Sequence, residues 1–168
     1  MFGVLARRAT SAAARPALRS CRWLSAEAAP ATMKFNFCLP HETIYKDKDV
    51  EQVIIPGSEG EYGVTVGHSP IVSELKPGVL QVLHGEGQAP EKFFVSAGFA
   101  LTHDDSVTDV TAIEAVRVEE IDEAAVQEAY NTAKSEVDSS AVGSREWAEA
   151  TVGVETCKAM GMAVGLSL

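Results

Sequence analysis

Three things are scarce in this sequence of 168 residues, and each absence removes a class of protein. No stretch approaches the roughly 20 consecutive apolar residues that a membrane-spanning helix needs, so attachment to a bilayer must run through another molecule. Cysteine occurs three times, at Cys21, Cys38 and Cys157. That is too few for a disulfide framework, and Cys38 and Cys157 are expected as small packed thiols rather than a bridge. Acid is missing from the amino end: no Asp or Glu precedes Glu27, whereas Arg7, Arg8, Arg15, Arg19 and Arg22 do. An arginine-rich, Ala- and Ser-rich, acid-free start has the make-up of an organelle transit peptide, and its arginines interrupt the apolar core a secretory signal requires. Arg22-Trp23-Leu24 ahead of Ser25 reads as a mitochondrial processing site. Residues 1–24, Cys21 among them, are expected to be removed after Leu24, and residues 25–32 to form a linker.

What remains is acidic. Without those 24 residues the chain keeps nine of its 14 basic residues against 24 acidic ones, a net charge of −15. Such a domain is repelled by nucleic acid and by anionic lipid, so its partners are expected to be proteins, in part basic ones.

From Met33 to about Val118 the periodicity is that of short strands. Phe35, Phe37 and Leu39 alternate, as do Val53 and Ile55, then Tyr62, Val64 and Val66, then Val79, Gln81 and Leu83, then the run from Phe93 to Leu101. Turn chemistry separates them at Lys46-Asp47-Lys48-Asp49, Pro56-Gly57, Gly67 to Pro70, Lys76-Pro77-Gly78, Gly85 to Pro90 and Asp104-Asp105-Ser106. This is the pattern of a β-sandwich or flattened barrel over residues 33–118. Several strands carry a second apolar set on the opposite face (Ile54, Leu80, Val82, Phe94), which calls for a cover from downstream helices or a partner.

After Val118 the period becomes helical. Acidic residues from Glu119 to Glu123 favour a helix start, and Val126, Tyr130, Ala133 and Val137 form a stripe that stops at Asp138-Ser139-Ser140. Ser144 is a candidate N-cap for a second helix with the stripe Trp147, Ala150, Val154, Cys157 and Gly161. Residues 119–168 therefore read as an antiparallel helical hairpin, with fraying expected over 161–168. The fold class is mainly β followed by α.

The most informative stretch runs from Pro56 to Pro70. Gly57, Gly60, Gly63 and Gly67 fall at offsets 0, 3, 6 and 10 around the alternating Tyr62, Val64 and Val66. A phosphate-binding loop is a poor reading, since Glu59 and Glu61 would repel phosphate and no Lys-Ser/Thr opens a helix. His68 before Ser69-Pro70 is expected to satisfy local hydrogen bonds, with a partner contact as the sharper second reading. A cupin-like metalloenzyme needs two histidines one residue apart, but Val66 and Pro70 flank His68 at that spacing. His41, His84 and His103 complete no compact ligand pattern with it. A cysteine hydrolase lacks a basic setting for either thiol.

The Pro56–Pro70 stretch, followed by Leu75-Lys76-Pro77-Gly78, resembles the signature of the small rotor subunit of F-type rotary ATP synthases, delta in mitochondria and epsilon in bacteria. The likeness begins at Met33-Lys34-Phe35, returns at Phe94-Val95-Ser96-Ala97-Gly98-Phe99, and ends at Glu120-Ile121-Asp122-Glu123-Ala124. It implies an amino-terminal ten-stranded β-sandwich, then a two-helix antiparallel hairpin, and a mechanical role without catalytic residues, cofactor or metal. It also implies gamma, the c-ring and the mitochondrial epsilon subunit as partners, at the matrix side of the inner membrane. Gly57, Gly63, Gly67, Pro70, Pro77 and Gly78 would be structural, while Glu59, Gly60, Glu61 and His68 would meet the c-ring. Bacterial members that bind ATP carry Ile-Asp, two residues, then Arg-Ala; here Ala125 and Val126 stand at the last two positions, so ATP sensing is not expected. Bacterial inhibitory hairpins also use a basic second helix, whereas from Ser144 onward this chain offers only Arg145 and Lys158 against Glu146, Glu149 and Glu155, so braking by the hairpin is not expected either.

Overall fold

A computed structural model describes residues 32–85 and 87–168. The expected transit peptide, its cleavage point and the linker up to residue 31 lie outside the described residues. Ten strands come first: β1 (Met33–Cys38), β2 (Thr43–Val50), β3 (Gln52–Gly57), β4 (Gly60–Thr65), β5 (Ile71–Leu75), β6 (Gly78–Leu83), β7 (Glu91–Val95), β8 (Gly98–Thr102), β9 (Val107–Ala112) and β10 (Ala115–Arg117). A short 3-10 turn (Val118–Glu120) leads to α1 (Glu123–Ser139) and α2 (Arg145–Val164).

The strands form one curled sheet in the order β10-β7-β6-β3-β5-β8-β9-β1-β2, with β4 paired to β3 alone. Between β3 and β5 the only register pair is Gly57 with Leu75, so the sheet folds over there into two leaves. One leaf holds β10, β7, β6, β3 and β4; the other holds β5, β8, β9, β1 and β2. Alternating side chains from both leaves meet in a core that includes Phe35, Phe37, Val53, Ile55, Leu80 and Val110, each 1% exposed or less. Aromatic rings bridge the leaves: Phe37 of β1 meets Phe93 of β7 edge-on, with centroids 5.6 Å apart.

The structure corrects the sequence reading in five places. The turn read at Pro56-Gly57 is the end of β3, paired with Glu61 and Gly60, and the reversal is Ser58-Glu59. Lys46 to Asp49 is not a turn but part of β2, an edge strand paired with β1 through two register shifts. Asp47 sits at φ 48 there, its N–H donating to Asn36 Oδ1 at 2.7 Å; charges and bulges of this kind protect an edge from further pairing. The run from Phe93 to Leu101 breaks into β7 and β8 at Ser96-Ala97. In β6 the buried face is Leu80 and Val82, while Val79, Gln81 and Leu83 point to the outer, half-buried side. Residues 161–168 do not fray: α2 continues to Val164, Gly165 caps it at φ 84, Leu166 N–H donates to Gly161 O at 2.8 Å, and Leu168 packs over Gly161.

Helix starts follow the expected chemistry. Ser144 Oγ accepts from Trp147 N–H at 3.1 Å, and Asp122 caps α1 through Ala124 N–H at 2.9 Å. The hairpin answers part of the need for a cover. Val79 of β6 shares a cleft of about 400 Å³ with Ala159, Met162 and Ala163 of α2. Phe94 is 3% exposed yet lies outside the main core cluster. The outer face of the second leaf stays open, with Val72 70%, Phe99 55% and Ile113 61% exposed.

At the edge where β2 approaches β7, a polar knot closes the sandwich. Tyr45 OH donates to Glu91 Oε2 at 2.5 Å, His84 Nε2 lies 2.9 Å from Glu91 Oε1, and Arg117 reaches the same carboxylate at 3.3 Å. The Tyr45 bond first, and then His84 and Arg117, hold the Glu91 carboxyl below the ordinary carboxylate range against the opposing effect of burial. Burial, then the bond to Glu91, push the Tyr45 phenol above its usual range. A lowered folded pKa means that the stability from Glu91 is complete above the unfolded carboxylate range and drains away as pH falls through the folded value. A raised one means that the Tyr45 contribution is complete below about pH 10 and is lost as pH rises. Melting temperature should therefore decline on both flanks, and Glu91→Gln should flatten the acid flank. Thermal melts of both proteins from about pH 3 to 11 check this; parallel acid flanks would reject the Glu91 role, and a flat alkaline flank the Tyr45 role.

Candidate functional site

β3 and β4 form a hairpin in which Gly57 pairs with Gly60 and the loop is only Ser58-Glu59. Gly60 takes φ 140, which a side chain tolerates badly, so the tight reversal depends on it. The hairpin is held against the next turn: Ser58 N–H donates to Glu74 O at 2.9 Å and Lys76 N–H to Pro56 O at 3.1 Å. These bonds gather Gly57, Glu59, Gly60, Glu61, Pro77 and Gly78 at one end of the sandwich. Glu59 and Glu61 are both exposed there. Glu61 lines the cleft that also contains Lys76 and Lys92, with no ion pair to either within 4.0 Å among the described residues.

Gly67, His68 and Pro70 lie elsewhere. They follow the far end of β4, about 17 Å along a strand that rises ~3.4 Å per residue; Gly63 sits midway. The nominated residues thus form a strip along the free edge of β4 rather than one turn. His68 is half-buried, its Nδ1–H donating to Ser69 O at 2.8 Å, which is the local satisfaction expected of it. Its ring lies 6.3 Å from that of Tyr62. Tyr62 itself is the residue that sequence reasoning missed. It reads as one face of a strand, but its phenol reaches across to the Ser73 hydroxyl on β5.

The strip holds no nucleophile with a base beside it; what exposed carboxylates at a stiff hairpin can do is attract and orient a cationic surface. Among the described residues no three His, Cys, Asp or Glu side chains converge as a metal site, and no helix is long and apolar enough to cross a membrane. Cys38 and Cys157 are free and half-buried rather than core. Burial pushes the Cys157 thiol up, opposite to what a nucleophile needs.

Comparison with known proteins agrees with this architecture. A family model described as "ATP synthase, Delta/Epsilon chain, beta-sandwich domain" matches residues 32–118. The mitochondrial ATP synthase F(1) complex subunit delta of Dictyostelium discoideum is 37% identical over 155 residues, covering 87% of this chain and 86% of that protein. The mitochondrial ATP synthase subunit delta of Saccharomyces cerevisiae is 42% identical over 133 residues, covering 79% and 81%. A chain in the cryo-EM structure of the Euglena gracilis mitochondrial ATP synthase, OSCP/F1/c-ring, superposes with a TM-score of 0.75 at 29% identity, covering 84% of this chain and 86% of that one. Nothing in these matches supports a cupin-like enzyme. The sandwich, the hairpin and the relatives lead to one assignment: the chain belongs to the delta/epsilon family of ATP synthase subunits, as a mitochondrial, non-catalytic member of the central stalk.

Proposed function

We propose that this subunit joins gamma to the c-ring on the matrix side of the inner membrane and carries proton-driven rotation toward the catalytic head without making or breaking bonds itself. The observation that carries the reading is the pair of exposed carboxylates at one hairpin end, Glu59 on the two-residue loop braced to β5 and Glu61 at the start of β4. An acidic chain offering carboxylates on a stiff support suits basic loops of a ring, with electrostatics setting orientation and apolar burial supplying most affinity. Glu59, Gly60 and Glu61 take one end of that contact and His68 the other, along the edge of β4.

Gamma seats on the open face of the second leaf, where Val72, Phe99 and Ile113 form an exposed apolar strip that an isolated domain has no reason to leave uncovered. Register puts them on one face at successive offsets of two: Val72 pairs with Leu101, Phe99 lies between Glu74 and Thr111, and Ile113 follows Thr111 by two residues. The mitochondrial epsilon subunit is a further partner. Residues 1–24 serve as the transit peptide and 25–32 as a linker, with the sandwich over 33–118 and the hairpin over 119–168. The hairpin does not sense ATP, because Ala125 replaces the guanidinium that would hold phosphate.

The test is a crosslink. Glu61→Cys, assembled with a c-ring carrying a cysteine in its polar loop, should give an oxidised subunit–ring product in the intact enzyme. An intact enzyme without that product would count against the ring-facing assignment.

A further inference from the structure

We infer that Tyr62, acting with Ser73 and Ser106 of the opposite leaf, is the mount that fixes the orientation of residues 58–70 against the body of the sandwich, and so is a positioning residue for torque transfer. The inference rests on the reading of that segment as ring-facing. β4 lies off the path of the sheet and pairs with β3 alone, so no strand holds its outer edge. Backbone bonds tie the segment to β5 only at its base, through Ser58 N–H to Glu74 O at 2.9 Å.

Farther out, two hydrogen bonds made by side-chain hydroxyls take over. The Tyr62 phenol and the Ser73 hydroxyl share a hydrogen bond from β4 to β5. Gly67 N–H donates to Ser106 Oγ at 3.0 Å, joining the far turn to the turn between β8 and β9. The surroundings of Tyr62 fit it for this work. A Cβ on Gly57 would come within 3.1 Å of its ring, and the His68 ring lies 6.3 Å away. One side chain thus touches the base of the segment, its far turn and the opposite leaf. Ser106 adds an independent sign. It holds φ 63, a conformation non-glycine residues seldom keep unless their surroundings impose it, while its hydroxyl serves Gly67 and its carbonyl accepts Lys34 N–H at 3.2 Å. A carboxylate pair on a strand free to hinge about β3 would yield to the ring instead of turning with the stalk; the two serine contacts remove that freedom.

Tyr62→Phe, Ser73→Ala and Ser106→Ala each delete one hydroxyl and leave the packing in place. In ATP synthase reconstituted with each variant and isolated intact, hydrogen–deuterium exchange over 58–70 should quicken roughly three- to tenfold, the range of one net hydrogen bond, with β6 and β7 unchanged. Tyr62→Phe combined with Ser73→Ala should exchange no faster than either alone, since the two share a bond. Proton-driven ATP synthesis should drop relative to ATP hydrolysis. Unchanged exchange in all three variants, additive effects in the double variant, or an unaltered synthesis-to-hydrolysis ratio would overturn the mount. Faster exchange and a lowered ratio in the variants, together with no Glu61→Cys crosslink in otherwise unaltered enzyme, would overturn the ring-facing reading and leave the mount standing.

Discussion

Gly98→Ala should leave the chain unable to hold its sandwich, with a loss of about 4 kcal/mol or more from backbone strain and overpacking together. Gly98 opens β8 and is hemmed in on both sides, paired with Leu75 of β5 and Ala112 of β9. Its φ is 155, and a Cβ would stand 2.1 Å from Thr111 O and 2.8 Å from Ala112 Cα. Both obstacles are backbone atoms of a central strand, so no side chain can rotate away to relieve them. Against a total stability of ~5–15 kcal/mol, such a loss corresponds to a melting temperature lower by about 15–30 °C. Gly153→Ala is the contrast. There the new Cβ would meet Ala133 Cβ at 3.5 Å, an ordinary contact, and a helix interior gains up to about 1 kcal/mol from the exchange. Thermal melts of both variants decide the matter, and a Gly98→Ala protein melting within a few degrees of wild type would show that the strand can shift after all.

The crowding at Gly98 is not legible in the sequence, because the alternation runs unbroken from Phe93 to Leu101; it arises only when the chain breaks at Ser96-Ala97 and β9 folds back beside β8. The same limit explains β2. Its lysines and aspartates have turn chemistry, and only pairing with β1 makes a strand of them. In β6 the alternation is ambiguous because both faces are apolar: Val79 and Leu83 answer to the outer side and Leu80 and Val82 to the core. Local signals were legible where they are self-contained. The Ser144 cap and both helical stripes depend on neighbours within a turn or two, whereas the reversal read at Pro56-Gly57 falls two residues later, because Pro56 and Gly57 still pair with Glu61 and Gly60.

The site divides in the same manner. Glu59 and Glu61 belong to a local motif, so their exposure at a tight reversal could be read in advance. The strand Tyr62 to Val66 and the turn after it already separate His68 from Glu59; that Tyr62 would reach Ser73 is a fact of the fold-over at Gly57. Residues 45, 84 and 91 form a hydrogen-bonded knot for a similar reason: they lie on three segments that converge only when the two leaves close.

Phe37→Ala should remove about 3–5 kcal/mol, the cost of emptying a fully buried aromatic site. Phe37 is 0% exposed, its ring stands 6.2 Å from Phe35 and 5.6 Å from Phe93, and the latter contact runs from one leaf to the other. The cavity it leaves cannot be filled by a neighbour, because the strands on either side are pinned by β1–β2 and β1–β9 pairing. Phe99→Ala deletes the same ring from the outer face, where it is 55% exposed. Alone, that variant should melt within a few degrees of wild type, since surface truncations away from packed features usually stay within about 0.5 kcal/mol. In the assembled enzyme the order reverses: Phe99→Ala, stable as a subunit, should be washed from the complex more readily than wild type if the strip seats gamma as proposed, because it has lost its largest side chain. Melting curves on the subunits and retention of the subunit in purified complex separate the two roles. If Phe99→Ala is retained as firmly as wild type, gamma does not sit on that face, whatever Phe37 does to the core.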